Sequence, residues 1–332
     1  MSGMRRRLLA PVVLAALLGA PSSASAFELP LSLETIFSGD LPLSAKTMFS
    51  GRNVYSPVVR DVAGGKAMWY GGWQTAADLA SGDKIYRRLS TDGGATWGPP
   101  TAVLTRELMP GGAAAWRHVN DPTITLTGRP KPYTMFFTAC RKVCDAQRGN
   151  EIWSAESGDG VTWTGLKVLM GGYPHPAEPS AISEPSGRQS WKVYFTPRAE
   201  CGHVRMVSVD TRREAITTPQ TVYRTSRPGS CLLNPEVKRL DSAWHLFYER
   251  ADPGANRRDV EESESRSNTA WTGFKTRIEN DGRTFCATIG PGIEPLAGAR
   301  YNMYFGLTRR RSDGTCDVSH QRSIERWSWR KG

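Results

Sequence analysis

Two carboxylates stand immediately before proline at comparable places in this chain: Asp121 in "NDPTI" and Glu178 in "AEPSAI", 57 residues apart. Each is followed by the short run of small and β-branched residues that makes a strand. An acid in this position is either a turn former, its short side chain bonding the local backbone, or a carboxylate aimed at a ligand. Aspartate suits the first role, but glutamate is a poor turn residue, so Glu178 points to the second. Two carboxyls held close and partly desolvated raise each other's pKa, so that one keeps a proton to give while the other is ionised. That division of labour cleaves glycosidic bonds, with inversion when a base stands about 6.5 to 9.5 Å from the acid.

Both positions belong to a longer series. "YSPVV", "NDPTI", "AEPSAI", "LNPEV" and "IGPGI" place Pro57, Pro122, Pro179, Pro235 and Pro291 at intervals of 65, 57, 56 and 56 residues. Each is followed by an aromatic strand, such as "KAMWYGGW" or "PYTMFFTA", and by a third, such as "DKIYRRLS" or "NEIWSAES". Short strands separated by Gly, Pro, Asn and Asp, with no sustained 3.6-residue period after Ala26, predict an all-β chain. Five such units predict a five-bladed β-propeller with a central channel, spanning 53–332, with blades starting near 53, 118, 175, 231 and 287. The first strand of each blade lines the channel. Ser56, Asp121, Glu178, Asn234 and Gly290 are therefore expected to form a ring at one mouth.

In order and spacing these blade starts resemble the five-bladed propeller glycoside hydrolases of family 43 (arabinanases, arabinofuranosidases, xylosidases) and, more distantly, their levansucrase and invertase relatives. The resemblance covers Asn53 to the C-terminus. It implies an aspartate base from blade one, an aspartate from blade two that orients and tunes the acid, and a glutamate acid from blade three. Carried over, Asp121 is the tuner and Glu178 the acid. Ser56 stands at the base's position and cannot act there without a partner to take its proton. Glu236, two residues past Asn234 on the same side of its strand, and Asp78 and Asp83 in the loop "QTAADLASGDK" are the carboxylates available to replace it. Each also has a structural reading, Glu236 as the partner of a buried Lys or Arg and the loop acids as solvated side chains.

The second strands run back to the same mouth, bringing Trp73, Arg141, Arg198, Glu249 and Arg250 toward it. Trp73 offers an apolar face to a sugar ring. Arg141 and Arg198 can grip hydroxyls or a uronate carboxylate bidentately, or pair with the ring acids. Asn120, Asn234, His118 and His175 complete the expected substrate-binding set. The histidines are too dispersed for a zinc motif, and no cofactor is expected, although propellers of this type sometimes hold a calcium ion in the channel.

The leading expectation is an inverting glycoside hydrolase acting on a poly- or oligosaccharide at the channel mouth. A non-catalytic glycan-binding propeller is the alternative that Ser56 favours. A sialidase-like hydrolase is a third, suggested by the arginines and by two Asp boxes, "STDGGATW" and "SGDGVTW". Five repeats where that architecture has six count against it.

Residues 1–26 have the form of a signal peptide: Arg5, Arg6 and Arg7, the apolar run Leu8 to Leu18, then Ala24-Ser25-Ala26. A secreted or periplasmic monomer without a membrane span is expected. The chain holds 43 Lys and Arg against 32 Asp and Glu, and removing three arginines with residues 1–26 leaves 40 against 32. The basic residues are scattered, so nucleic acid is not an expected partner, whereas carbohydrate is. An oxidising compartment permits disulfides, and strand-end placement suggests Cys140–Cys144, Cys201–Cys231 and Cys286–Cys316. Residues 27–52 carry a tandem duplication, "LPLSLETIFSGD" then "LPLSAKTMFSGR", of which one copy is expected to add an outer strand to the last blade.

Overall fold

The computed structural model describes residues 42–127, 130–144, 148–184, 190–252, 257–280, 285–298, 300–310, 314–315 and 322–330. The expected signal peptide, the first copy of the duplication and Cys316 lie outside the described residues. The described strands form five antiparallel four-stranded sheets. First in the chain comes β1 (Ser44–Gly51), which is taken up by the last blade. Blade one is β2 (Asn53–Val62), β3 (Gly65–Trp73), β4 (Lys84–Ser90) and β5 (Thr101–Leu104). Blade two is β6 (Trp116–Leu126), β7 (Tyr133–Arg141), β8 (Asn150–Ser157) and β9 (Thr164–Met170). Blade three is β10 (Pro176–Ser183), β11 (Trp191–Pro197), β12 (His203–Val209) and β13 (Gln220–Arg224). Blade four is β14 (Cys231–Leu240), β15 (Ala243–Asp252), β16 (Arg257–Ser265) and β17 (Lys275–Ile278). Blade five is β18 (Phe285–Leu296), β19 (Arg300–Arg309) and β20 (Arg322–Arg330), completed by β1.

The second copy of the duplication thus supplies the closing strand. β1 runs antiparallel to β20, with Ser44 opposite Ser328 and Gly51 opposite Arg322. Joining the two ends of the chain in one sheet covers an edge that would otherwise be free to pair.

The core lies between blades. Neighbouring residues of a strand point to opposite faces, so each second strand serves two interfaces at once. Phe137 packs with Trp69 and Ile85 of blade one, while Phe136 packs with Trp191 and Phe195 of blade three. Tyr248 of blade four joins Tyr194 of blade three, and Phe247 joins Tyr301 of blade five. Met68 and Tyr70 close the seam against Tyr304 and Ile324. Each blade therefore buries its apolar faces only when both neighbours are in place.

Every first strand breaks register at its proline: between Tyr55 and Val58, Asn120 and Thr123, Ala177 and Ser180, Leu233 and Glu236, and Ile289 and Gly292. Proline has no N–H to donate to a ladder. The residue before it takes a left-handed conformation in all five, φ being 47° at Ser56, 48° at Asp121, 58° at Glu178, 48° at Asn234 and 63° at Gly290. Such a bulge re-aims one side chain, here toward the axis. Asn and Asp tolerate this backbone, whereas for serine and glutamate it costs roughly 1–2 kcal/mol. Strain of this kind collects where function requires it.

Candidate active site

The five pre-proline residues meet, as the repeat predicts. With their prolines and Glu236 they line an axial channel of about 30 Å³, room for about one water molecule. Gly290 abuts blade one so closely that a Cβ there would lie 2.4 Å from Ser56 Oγ, which explains glycine at the fifth position.

Ser56 Oγ stands 2.9 Å from Asp121 Oδ1 and 2.9 Å from Asn234 Oδ1. The amide orientation is set from the other side, where Asn234 Nδ2 reaches Glu249 Oε2 at 3.5 Å. One hydroxyl hydrogen cannot serve two acceptors, so the chain is complete when Asp121 brings a proton. Its electrostatics agree: burial first, and then the neighbouring charge of Glu178, push the Asp121 pKa up to about 8. Glu178 is an acceptor on every side. Thr196 Oγ1 donates to it at 2.6 Å, Arg198 Nη1 at 2.9 Å and the Asn234 backbone N–H at 2.9 Å. The Glu178 N–H in turn donates to Thr138 Oγ1 at 2.8 Å, tying the strained turn to blade two.

Above the ring the channel opens into a cavity of about 470 Å³, whose walls include Trp73, Asp83, His118, Asn120 and Arg198. A second cavity of about 290 Å³ extends over blades two and three, walled by Thr138, Asn150 and Ala177. Asp121 and Glu178 line both cavities, and Asp83 only the larger.

Of the four candidates for a base, Asp83 is the carboxylate brought to the mouth. Its Oδ1 accepts from Asn53 Nδ2 at 3.2 Å and its Oδ2 from the Tyr55 hydroxyl. Tyr55 accepts in turn from Asn120 Nδ2 at 3.0 Å. Burial, followed by the charges of Asp83 and Asp121, holds the Tyr55 phenol well above its usual pKa, so it remains a donor to Asp83. Asp78 is used elsewhere, capping the 3₁₀ turn Ala76–Ser81, where it accepts from the N–H groups of Gln74 and Thr75 and pairs with Lys84 at 2.9 Å. Gly82, at φ 73°, then drops the loop to Asp83 where a Cβ would strike Arg117 O at 2.3 Å. Glu236 lies within the channel, bonded to Ser180 Oγ at 2.8 Å and paired with Lys238 at 2.5 Å, its structural reading. Ser56 is the relay described above.

Trp73, Asn120, Asn234, His118 and Arg198 all line the larger cavity. Burial pushes the His118 pKa down, leaving a neutral ring. Arg141 and His175 line neither of the two mouth cavities. Arg141 is turned outward to Glu151 at 2.8 Å and over the Trp116 ring at 4.4 Å. His175 accepts the Arg198 N–H through its carbonyl while its ring faces Tyr173. Arg250 is buried among Asp252, Asp259 and Glu261, and Glu249 binds Arg258 Nη1 at 2.7 Å behind the ring.

Cys201 and Cys231 are bridged with Cα atoms 4.4 Å apart, and Cys140 and Cys144 with 5.7 Å. Cys286 is also in a disulfide; its expected partner Cys316 lies outside the described residues. Among the described residues the one compact His/Cys/Asp/Glu group is His118 with Cys140 and Cys144, whose sulfurs are spent on their disulfide. No helix among the described residues is long and apolar enough to cross a membrane.

Sequence reasoning missed Tyr55, Arg117, Arg258 and Arg322, all in the wall of the larger cavity. Arg322 Nε donates to Thr308 Oγ1 at 3.2 Å and its guanidinium lies 5.6 Å from the Tyr55 ring centre. Burial above all pushes its pKa down to about 10, which leaves it charged at neutral pH. Arg258 and Arg322 are the second and first residues of their third strands, where no repeated turn signature marks the mouth-facing residue.

No protein-family model matches this chain, and no curated protein matches it by sequence. Solved structures do match it. An exo-1,5-α-L-arabinanase from a bovine ruminal metagenomic library superposes with a TM-score of 0.60 at 13% identity, over 82% of this chain and 92% of that one. The catalytic domain of a Coprinopsis cinerea family 62 α-L-arabinofuranosidase gives 0.61 at 12%, over 87% and 95%. The Cellvibrio cellulosa α-L-arabinanase complexed with arabinohexaose gives 0.60 at 10%, over 84% and 92%. The fold is that of the five-bladed propeller glycoside hydrolases. In that frame the ring of Ser56, Asp121, Glu178, Asn234 and Gly290 stands at the mouth of the propeller channel.

Proposed function

We propose that this protein is an inverting glycoside hydrolase exported from the cytoplasm, with Glu178 as general acid, Asp121 as its proton-sharing neighbour and Asp83 as general base. The observation that carries the reading is the place of Asp121 and Glu178 at the junction of two cavities, where a bond joining two sugars would lie. Asp121, its pKa pushed up to about 8 by burial and by the neighbouring charge of Glu178, keeps a proton at neutral pH. For cleavage the proton held by Asp121 passes to Glu178 as the glycan binds, and Glu178, held in orientation by Arg198 and Thr196, gives it to the leaving oxygen and returns to the carboxylate. Asp83 faces only the larger cavity, so a water beside it attacks from the side away from the leaving sugar. Trp73 gives the sugar in that larger cavity an apolar face to rest on. Such acid and base steps each supply about 10²–10⁴ in rate.

Ser56 favours a second reading, a propeller that binds a glycan at this mouth without cleaving it. Incubation with arabinans, xylans, fructans and uronate-rich polysaccharides separates the two. Release of reducing ends bearing the inverted anomer, followed by NMR, is expected; binding with no release from any member of the panel would establish the glycan-binding protein instead.

A further inference from the structure

The larger cavity is lined by Asp83, Asp121 and Glu178 and by Arg117, Arg198, Arg258 and Arg322, with Arg198 paired to Glu178 at 2.9 Å and Arg258 to Glu249 at 2.7 Å. A third cavity, of about 550 Å³, lies beside it at the seam between blades five and one and is lined by Arg52, Arg309, Arg310 and Arg322 together with Gln74 and Thr47. Its lining residues come from the ends of β1, β3 and β19 and the start of β20, so it opens on the same face as the mouth. No Asp or Glu stands among its described lining residues. Glu325, buried behind it, takes hydrogen bonds from Thr47 at 2.8 Å and Ser323 at 2.6 Å and lies 3.4 Å from Arg309. The described lining of the seam is therefore cationic. Arg322 lines both cavities.

Guanidinium groups bind planar oxyanions bidentately, and a partly buried cluster of them attracts anions more strongly than the same charges in open water. The hydroxyls of a neutral glycan can accept hydrogen bonds from a guanidinium but carry no charge to balance four arginines lining one cavity. A chain with an acid on successive sugars uses all of them, one acid in the mouth and the next at the seam.

We propose that the mouth and the seam cavity together bind an acidic glycan, one bearing carboxylate or sulfate groups on successive sugars. This deepens the hydrolase reading and, as a claim about binding, is tested apart from it. The purified protein is titrated calorimetrically with a uronate hexasaccharide, with its carboxyl-reduced neutral counterpart and with a sulfated hexasaccharide of the same backbone. Binding at least tenfold tighter to an acidic probe than to the neutral one is expected, and whichever acidic probe binds better names the source of the charge. The double substitution R52Q/R309Q is expected to cut that preference at least fivefold and, because Arg309 lies 3.4 Å from the buried Glu325, to lower the unfolding midpoint, whereas R52K/R309K, which keeps a cation there, is expected to restore most of both. Equal affinity for acidic and neutral probes, or a preference untouched by R52Q/R309Q, would overturn the proposal. Cleavage of a neutral glycan without acidic preference would overturn it and leave the hydrolase standing. Acidic binding without cleavage would keep it and remove the hydrolase.

Discussion

Ser56 Oγ stands 2.9 Å from Asp121 Oδ1, so the blade-one position where resemblance leads one to expect a catalytic base holds a hydroxyl bonded to the neighbouring blade's carboxyl. With a proton on Asp121 the hydrogen bonds run from Asp121 to Ser56 and from Ser56 to Asn234, and every group is satisfied. The site does not lack a carboxylate for the base, because Asp83 enters the same cavity from the loop after β3.

If Asp83 activates the attacking water, Asp83→Ala lowers kcat by about 10²–10⁴. Azide, which needs no base, then restores turnover and yields the inverted glycosyl azide. Asp83 also anchors Asn53 and Tyr55, so thermal unfolding is measured alongside. A loss that azide leaves untouched would mark Asp83 as structural.

Asp121 makes a pH prediction with a definite sign. Its pKa is about 8 in the folded protein against 3.8 ordinarily, so between these values the native state binds a proton that the unfolded chain has released. Stability from this group is complete below about pH 3.8 and is lost as pH rises toward 8. The unfolding midpoint of the wild type is expected to fall between pH 5 and 9 more steeply than that of Asp121→Asn, and kcat to decline as pH passes 8. Parallel midpoint curves for the two proteins would refute the assignment.

Gly290 closes the ring against backbone as well as side chain, since an added Cβ would meet Ser56 Cα at 2.6 Å and N at 2.8 Å as well as its Oγ. With φ at 63°, Gly290→Ala is expected to destabilise by about 1–3 kcal/mol. Because the closest backbone atoms remain, Ser56→Gly in the same chain should recover little of that loss. Chemical denaturation measures both, and full recovery by the double variant would show that the hydroxyl alone set the limit.

The ring was legible in the sequence because proline marks the same bulge in every blade, and "NDP" and "AEP" put acids at equivalent turns. What the pattern could not reveal was conformation that runs against propensity: Glu178 holds φ 58° although glutamate disfavours it. The fates of strand-end side chains were hidden for another reason. Arg141 ends one second strand and Arg198 follows another, but Glu151 and Trp116 draw the first outward while Glu178 draws the second inward. Asp78 and Asp83, five residues apart in one polar loop, diverge because a 3₁₀ turn uses one as its cap and carries the other to the cavity. Arg258 and Arg322 lay in strands whose polar residues alternate without a repeat to show which face is the mouth.

The central claim is that Glu178 delivers the proton that breaks a glycosidic bond. Its most direct test is the rate of reducing-end release by Glu178→Gln beside the wild type on a glycan that the wild type cleaves, with folding checked by the unfolding midpoint. The amide keeps the shape and can still accept from Thr196 and Asn234, but it has no acidic proton to donate. A fall in kcat of about 10²–10⁴ is predicted, smaller for substrates whose leaving group needs no protonation. Equal rates for the two proteins on a natural glycan would contradict the account.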